Sequence, residues 1–240
     1  MNFLKFILLI ALSFWFNVII SQSKNSDKQF GINTGAIIPI NYFGAGPLEL
    51  ESNNSQITLS SKIGYHFGMM IKTNYSKKFS IESGINILIR NFDLSGSSNI
   101  YGESLKDNAD FEYRSYGFPT KAIVYIQLSD KSFLNTSVGA SLDFYASAVN
   151  SKGENDFIFQ YSERAKWING SILADLGVEW RGDYGAFFLG AGVNIPITTI
   201  AVTNLKFHYD ESDYNNKYDD YNPVFLRGNF FDIKIKYFLP

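Results

Sequence analysis

Charged side chains in this 240-residue chain recur at two-residue spacing on segments whose alternate positions are apolar. Glu82 and Arg90 share one such segment, Lys121 sits on a second and Asp143 on a third. Asp175, Glu179 and Arg181 follow on a fourth, and Asp232, Lys234 and Lys236 on the last. Carboxylates and cations mixed in this way can pair with one another, line a watery pore or, where two acids meet, exchange protons. Nucleophilic chemistry has less to work with. The chain has no Cys, which removes thiolate catalysis, disulfides and Cys-ligated metal centres. Only two His, His66 and His208, could serve as an imidazole base. His66 lies between Gly64 and Gly68 on a polar face, with no Ser two residues away, and reads as a hydrogen-bonded interior residue. The stretch 204–222 offers a different set, with Asp210, Glu211, Asp213, Asp219 and Asp220 among Tyr209, Tyr214, Tyr218 and Tyr221. It reads as a solvated loop, and Tyr among acids can also form an adaptable protein-binding surface. Tyr209, Asp210, Tyr214, Tyr218 and Tyr221 are its candidate contact residues. The Asp-x-Asp-x-Asp-Gly spacing of a dedicated calcium loop is missing, so no metal, cofactor or catalytic set is expected.

The elements that position these residues alternate with period two. Residues 63–71 set Ile63, Tyr65, Phe67, Met69 and Ile71 against Gly64, His66, Gly68 and Met70. Residues 79–90 oppose Phe79, Ile81, Ile85, Ile87 and Ile89 to Ser80, Glu82, Gly84, Asn86 and Arg90. The same pattern runs through 30–38, 120–127, 133–146, 168–181, 187–195 and the C-terminal stretch from Phe231 to Leu239. Side chains of a strand point to opposite faces in turn, so these are eight candidate strands, each with one apolar and one polar or small face. The aromatic content of 17%, with 15 Tyr and 22 Phe, favours β-structure further.

Connections alternate too. Those near 74–78, 129–131 and 182–184 are short, whereas 39–61, 95–109, 148–165 and 204–222 are long and polar. Outer-membrane barrels have this rhythm, tight on the periplasmic side and long outside. A lipocalin-like soluble barrel shows the same alternation with its apolar face turned inward. Gly on an exposed strand face only weakens the strand, while inside a narrow barrel it leaves room for long charged side chains. The polar faces are rich in Gly, which favours the membrane arrangement. Aromatics near strand ends, including Phe30, Tyr65, Tyr75, Phe79, Trp167, Trp180, Tyr184, Tyr237 and Phe238, suit the interfacial belts of such a barrel.

The N-terminus reads as an export signal. A basic start at Lys5 precedes an apolar run from Phe6 to Ile20 and a break at Ser21–Gln22. The expected organisation is therefore a signal peptide over 1–21 and a barrel domain over 22–240. A formal charge of −2 gives no basic footprint for nucleic acid.

Four stretches also carry a family resemblance: Tyr116-Gly-Phe-Pro-Thr-Lys-Ala122, Val138-Gly-Ala-Ser-Leu-Asp143, Asp175-Leu-Gly-Val-Glu-Trp180 and Gly190-Ala-Gly-Val193. On these the chain resembles the PorT-like outer-membrane β-barrel proteins of the Bacteroidota, over essentially all of the exported region. Gly117 and Thr120 stand where that family carries an acidic residue before the proline and an aliphatic after it. The resemblance implies an eight-stranded barrel, and some relatives are linked to type IX secretion and gliding.

The expectation is thus an all-β, eight-stranded antiparallel up-and-down transmembrane barrel with short periplasmic turns and long extracellular loops. Its lumen holds a polar network of Glu82, Arg90, Lys121, Asp143, Asp175, Glu179, Arg181, Asp232 and Lys234. Its partners are outer-membrane lipid and other envelope or secretion-system proteins. A structural or accessory role comes first, a small-ligand carrier or transporter second, and a conducting pore or enzyme after these.

Overall fold

The stripe of Ile63, Tyr65, Phe67, Met69 and Ile71 belongs to a strand more than twice as long as that segment. It runs from Ser55 to Ser76 in a computed structural model that describes residues 27–39, 46–52, 55–100, 103–145, 148–208 and 218–240. The export-signal residues, and Tyr209, Asp210 and Tyr214 of the long acidic stretch, lie outside the described residues.

Eight strands form the wall. They are β1 (Asp27–Pro39), β3 (Ser55–Ser76), β4 (Phe79–Ile100), β5 (Glu103–Gln127), β6 (Ser132–Tyr145), β9 (Ile168–Gly182), β10 (Gly185–Pro196) and β14 (Phe230–Phe238). Each is antiparallel to its neighbours, in the order β1-β14-β10-β9-β6-β5-β4-β3. β1 closes the ring by pairing β14 on one side and β3 on the other, with Ile32 opposite Tyr237 and Met69. Closure matters because hydrocarbon offers an unpaired strand edge no hydrogen-bonding partner.

Burial settles which face points where. Met69 is 67% exposed and Val138 62%, whereas Lys72 and Glu179 are 0% exposed. An apolar belt runs round the outside through Phe30, Phe67, Ile85, Phe118, Leu142, Leu176 and Ile235, and the charges are enclosed. A continuous apolar surface of this extent is untenable in water, and it matches the outward band of a transmembrane barrel. Aromatic pairs flank the belt: Trp180 with Phe187 and Tyr75 with Phe79 near the short turns, Phe144 with Trp167 at the other end. Phe238 departs from the expected belt. It is 1% exposed, because its even-numbered position on β14 faces the lumen beside Lys236 and Lys234.

The long connections are not irregular loops. A tilted crossing needs about 9–11 residues, yet β3 and β4 have 22 each and β5 has 25. Their surplus rises above the belt as a three-stranded tongue, edged by β2 (Leu48–Glu51). Against the tongue packs a second sheet built from the two later connections. It consists of β7 (Val149–Lys152), β8 (Ile158–Arg164), β11 (Ala201–His208) and β12 (Tyr218–Asp220), with β13 (Val224–Leu226) also on β11. Between the layers lies an apolar core that includes Ile57, Leu94, Phe111, Ile158, Leu205 and Phe207.

A bulge in β3 makes the tongue possible. Register slips between Lys62 and Tyr65, where β3 holds one residue more than β4, so odd- and even-numbered positions exchange faces beyond it. Below it the odd-numbered residues of β3 meet lipid; above it Ile57 and Leu59 turn inward to the core. The long connections are where expected, but their strands are hidden in the sequence because the inward positions of the tongue and cap mix apolar residues with small polar ones. Ser162, for example, meets Thr203 Oγ1 at 2.6 Å, which hides the alternation from a hydropathy reading.

Candidate functional site

The charges on the polar faces converge because the wall is narrow. Asp175 of β9 is the hub. It accepts Lys121 Nζ at 2.7 Å, Lys234 Nζ at 2.7 Å and Ser137 Oγ at 3.2 Å, with Lys236 Nζ at 3.5 Å. Glu82 of β4 takes Lys236 Nζ at 2.9 Å on both oxygens and has Lys121 3.6 Å away. Asp232 holds Lys234 at 2.8 Å. His66 Nε2 lies 3.4 Å from Asp232, its Nδ1 3.2 Å from Asn33 Oδ1, and Asn33 Nδ2 donates to Asn86 Oδ1 at 2.9 Å. Gly192 makes the space: a Cβ there would fall 2.4 Å from an Asp175 oxygen and 2.7 Å from Lys234 Nζ.

Some of these links join neighbouring strands, and others cross the lumen. β4 and β14 are separated in the ring by β3 and β1, yet Lys236 spans from one to the other. A second crossing lies nearer the short turns, where Lys72 of β3 donates to Glu179 of β9 at 3.1 Å. Glu179 also accepts Arg181 Nε at 2.8 Å and Asn135 Nδ2 at 3.0 Å. Aromatic faces cover the cations. Lys72 sits 4.0 Å from the Phe238 ring, Lys236 4.8 Å from Phe188, and Arg181 4.2 Å from both Tyr125 and Phe133. Such stacking shields ammonium and guanidinium groups where water is scarce.

Asp143 and Arg90 stand apart from the hub, towards the cap. Asp143 accepts Ser141 Oγ at 2.6 Å and the Ser171 hydroxyl. Arg90 donates to Ser115 Oγ at 2.9 Å and to the Gly228 carbonyl at 3.3 Å. All nine lumen candidates therefore face inward, seven of them in ion contacts and these two on hydroxyl and carbonyl partners. Between the two groups lies a cavity of about 30 Å³ bounded by Asn33, His66, Asn86 and Asp143, room for one or two waters.

Tyr221 requires a correction as a surface contact residue. It is 8% exposed, within the cap core, and its hydroxyl meets Ser55 Oγ. The ring fills space between the tongue and the second sheet, which outweighs the polar sequence around it. Tyr218 belongs to β12, paired with His208.

Lys72 escaped the sequence reading because its candidate strand ended one residue early, at Ile71; its place on the even-numbered face was the available signal. Asp107 escaped as a loop acid. It is 2% exposed and accepts the backbone N–H groups of Asn155, Phe157 and Ile158, each at 2.9 Å. That ties the third connection to β5.

Together these features define a closed, eight-stranded transmembrane β-barrel with a filled, charge-paired lumen and a folded external cap. No family model and no curated protein sequence matches the chain. Among solved structures it is similar to the outer membrane protein OprG from Pseudomonas aeruginosa, with TM-score 0.48, 9% identity, and coverage of 90% of this chain and 97% of that one. It is also similar to the outer membrane protease OmpT from Escherichia coli, with TM-score 0.33, 10% identity, and coverage of 90% and 95%. The barrel assignment rests on this chain's own outward belt and ring closure.

Proposed function

We propose that this chain is a non-conducting outer-membrane barrel that carries a rigid external β cap as a structural or accessory component of an envelope or secretion assembly. The observation that carries this reading is the crossing of the lumen by Lys236–Glu82 and Lys72–Glu179. Ions would have to break buried pairs to pass. A pore has no use for a plug made of its own walls, whereas a scaffold gains a fixed cross-section from one. The PorT-like resemblance on strands β5, β6, β9 and β10 supports the same reading, as does the export signal. The lumenal His66–Asp232 pair orients an imidazole, but its described contacts include no hydroxyl nucleophile, so the enzyme reading ranks lower.

Two measurements test the proposal. Purified chain in planar bilayers should give no stepwise conductance, and sustained single-channel steps would sink the plugged-lumen part. A photo-reactive residue at Tyr161, exposed on β8, should form discrete protein crosslinks in intact envelopes. Crosslinks to lipid alone would sink the accessory part.

A further inference from the structure

Arg90 differs from the lysines of the lumen. Lys72, Lys121, Lys234 and Lys236 each lie within 3.1 Å of a carboxylate oxygen. Arg90 is 4% exposed, and its described polar partners are one hydroxyl and one carbonyl, with its Nη2 lacking a hydrogen-bond partner. A buried guanidinium is costly unless an anion or acceptor meets it. The Phe230 ring, 5.2 Å away, covers one side without supplying an acceptor.

The same side chain lines a pocket at the extracellular rim, between the start of the tongue and the chain entering β14. Its volume is about 40 Å³, and Ile37, Leu59, Phe92, Leu226 and Phe230 are among its walls. No Asp or Glu is among the described residues lining it, while Lys62, Arg90 and Arg227 are. Lys62 is already held by Asp93 at 3.0 Å and Asp110 at 2.8 Å, and Arg227 is exposed. Among the described residues lining the pocket, Arg90 is the buried cation without a carboxylate partner. Gly228, at φ +66, turns its carbonyl onto Arg90 Nε and so fixes the guanidinium against the pocket wall. A side chain there would be strained and would meet Ile200 at 2.6 Å.

We infer that this pocket binds a short aliphatic monocarboxylate, with the carboxylate on Arg90 and the alkyl group against Ile37, Leu59 and Phe230. One buried positive charge calls for one negative charge. Guanidinium and carboxylate match as planar, charge-assisted partners. The volume corresponds to roughly three water-sized spaces, which the carboxylate and its first carbon fill, so any further carbons lie along half-exposed Leu48 at the mouth. Phosphate fits worse, because Arg90 offers one buried positive charge to an anion that carries up to two. The site is independent of whether the lumen conducts.

The test uses full-length folded chain in lipid nanodiscs and carbon-13 carboxyl-labelled butyrate, read by NMR titration. Butyrate should bind saturably at one site, and Arg90→Gln should weaken it by at least about tenfold, as expected for loss of a charge-assisted contact. If that variant fails to fold, Leu48→Trp gives a second readout. Leu48 is 40% exposed at the pocket, so a larger ring blocks the space and leaves Arg90 in place. Loss of binding in Leu48→Trp supports the site. Butanol should not compete, and inorganic phosphate should compete poorly. No saturable butyrate binding to the wild-type chain overturns the inference, as does binding unchanged in either folded variant. Phosphate competing as well as butyrate overturns the carboxylate assignment.

Discussion

Lys236 and Glu82 meet across the barrel lumen, the ammonium lying 2.9 Å from each carboxylate oxygen although their strands are not neighbours in the ring. The pair is 1% and 2% exposed, and Asp175 and Lys121 tie it into a larger cluster. A link of this kind braces the barrel against flattening, which backbone pairing leaves free because it sets only the circumference.

Removing one partner should therefore cost far more than removing both. Glu82→Leu leaves Lys236 buried beside other cations and should destabilise the folded barrel by about 3–5 kcal/mol. The double variant Glu82→Leu/Lys236→Met should recover a substantial part of that loss. Urea titrations in lipid vesicles, arranged as a double-mutant cycle, measure the coupling. Purely additive losses would show that the two residues do not act as a pair.

Orientation has its own test at Val138, which faces outward in mid-belt. Val138→Arg places a charge against acyl chains and should cost about 2–4 kcal/mol in folding from urea into vesicles. A change below measurement error would mean that this face meets water instead.

The cap depends on Asp107. Its carboxylate satisfies three backbone donors of the connection between β7 and β8, and charge-assisted bonds of this type are among the stronger ones. Asp107→Ala should open residues 153–158 to protease while the barrel keeps its heat-resistant mobility on gels. The local loss should be about 2–4 kcal/mol, given several buried donors left unpaired. Equal protease resistance in the two proteins would show that the connection is held by other contacts.

Acid should loosen the outer end of β11. Burial, and then the charge of Lys206, push the His208 imidazole below its ordinary value of 6.5, with Asp220 opposing them less strongly. The unfolded segment then takes up the proton more readily than the folded one. Stability at this edge is complete above about 6.5 and declines as pH falls from there towards the lowered folded value. Amide protection of 201–208, compared between wild type and His208→Phe at pH 7.5 and 5.0, reads this out. Phe keeps a ring beside Phe159, now 4.7 Å from the imidazole, so the variant should lose the pH-linked difference. Identical protection ratios at both pH values would exclude the linkage.

The ring strands and their facing were legible because lipid and lumen impose opposite demands on alternate residues. Ile81 beside Glu82 and Val138 beside Ser137 follow that rule, whereas Phe188 and Phe238 turn apolar rings into the lumen to cover Lys236 and Lys72. What lay hidden needed either register or distance across the barrel. Lys121 and Glu82 are register partners on β5 and β4, but nothing along the chain couples Glu82 to Lys236. The odd-numbered stripe from Ile57 to Ile71 looks uniform in sequence, and only the slip between Lys62 and Tyr65 divides a lipid face from a core face. Tyr221 was misplaced for a related reason, since an aromatic among acids resembles a surface until a second sheet is seen to cover it.

The cap also constrains how the molecule is made. Its sheet joins β8 to β11, pieces of chain separated by two complete membrane crossings, β9 and β10. Ile158 and Phe207 must therefore reach the outer face before either can find shelter. Each travels on a segment whose alternate positions are hydrophilic, so neither piece forms a fully greasy stretch that would lodge among lipid tails. The exterior sandwich is consequently a late product of biogenesis, completed only once the wall beneath it has been laid down.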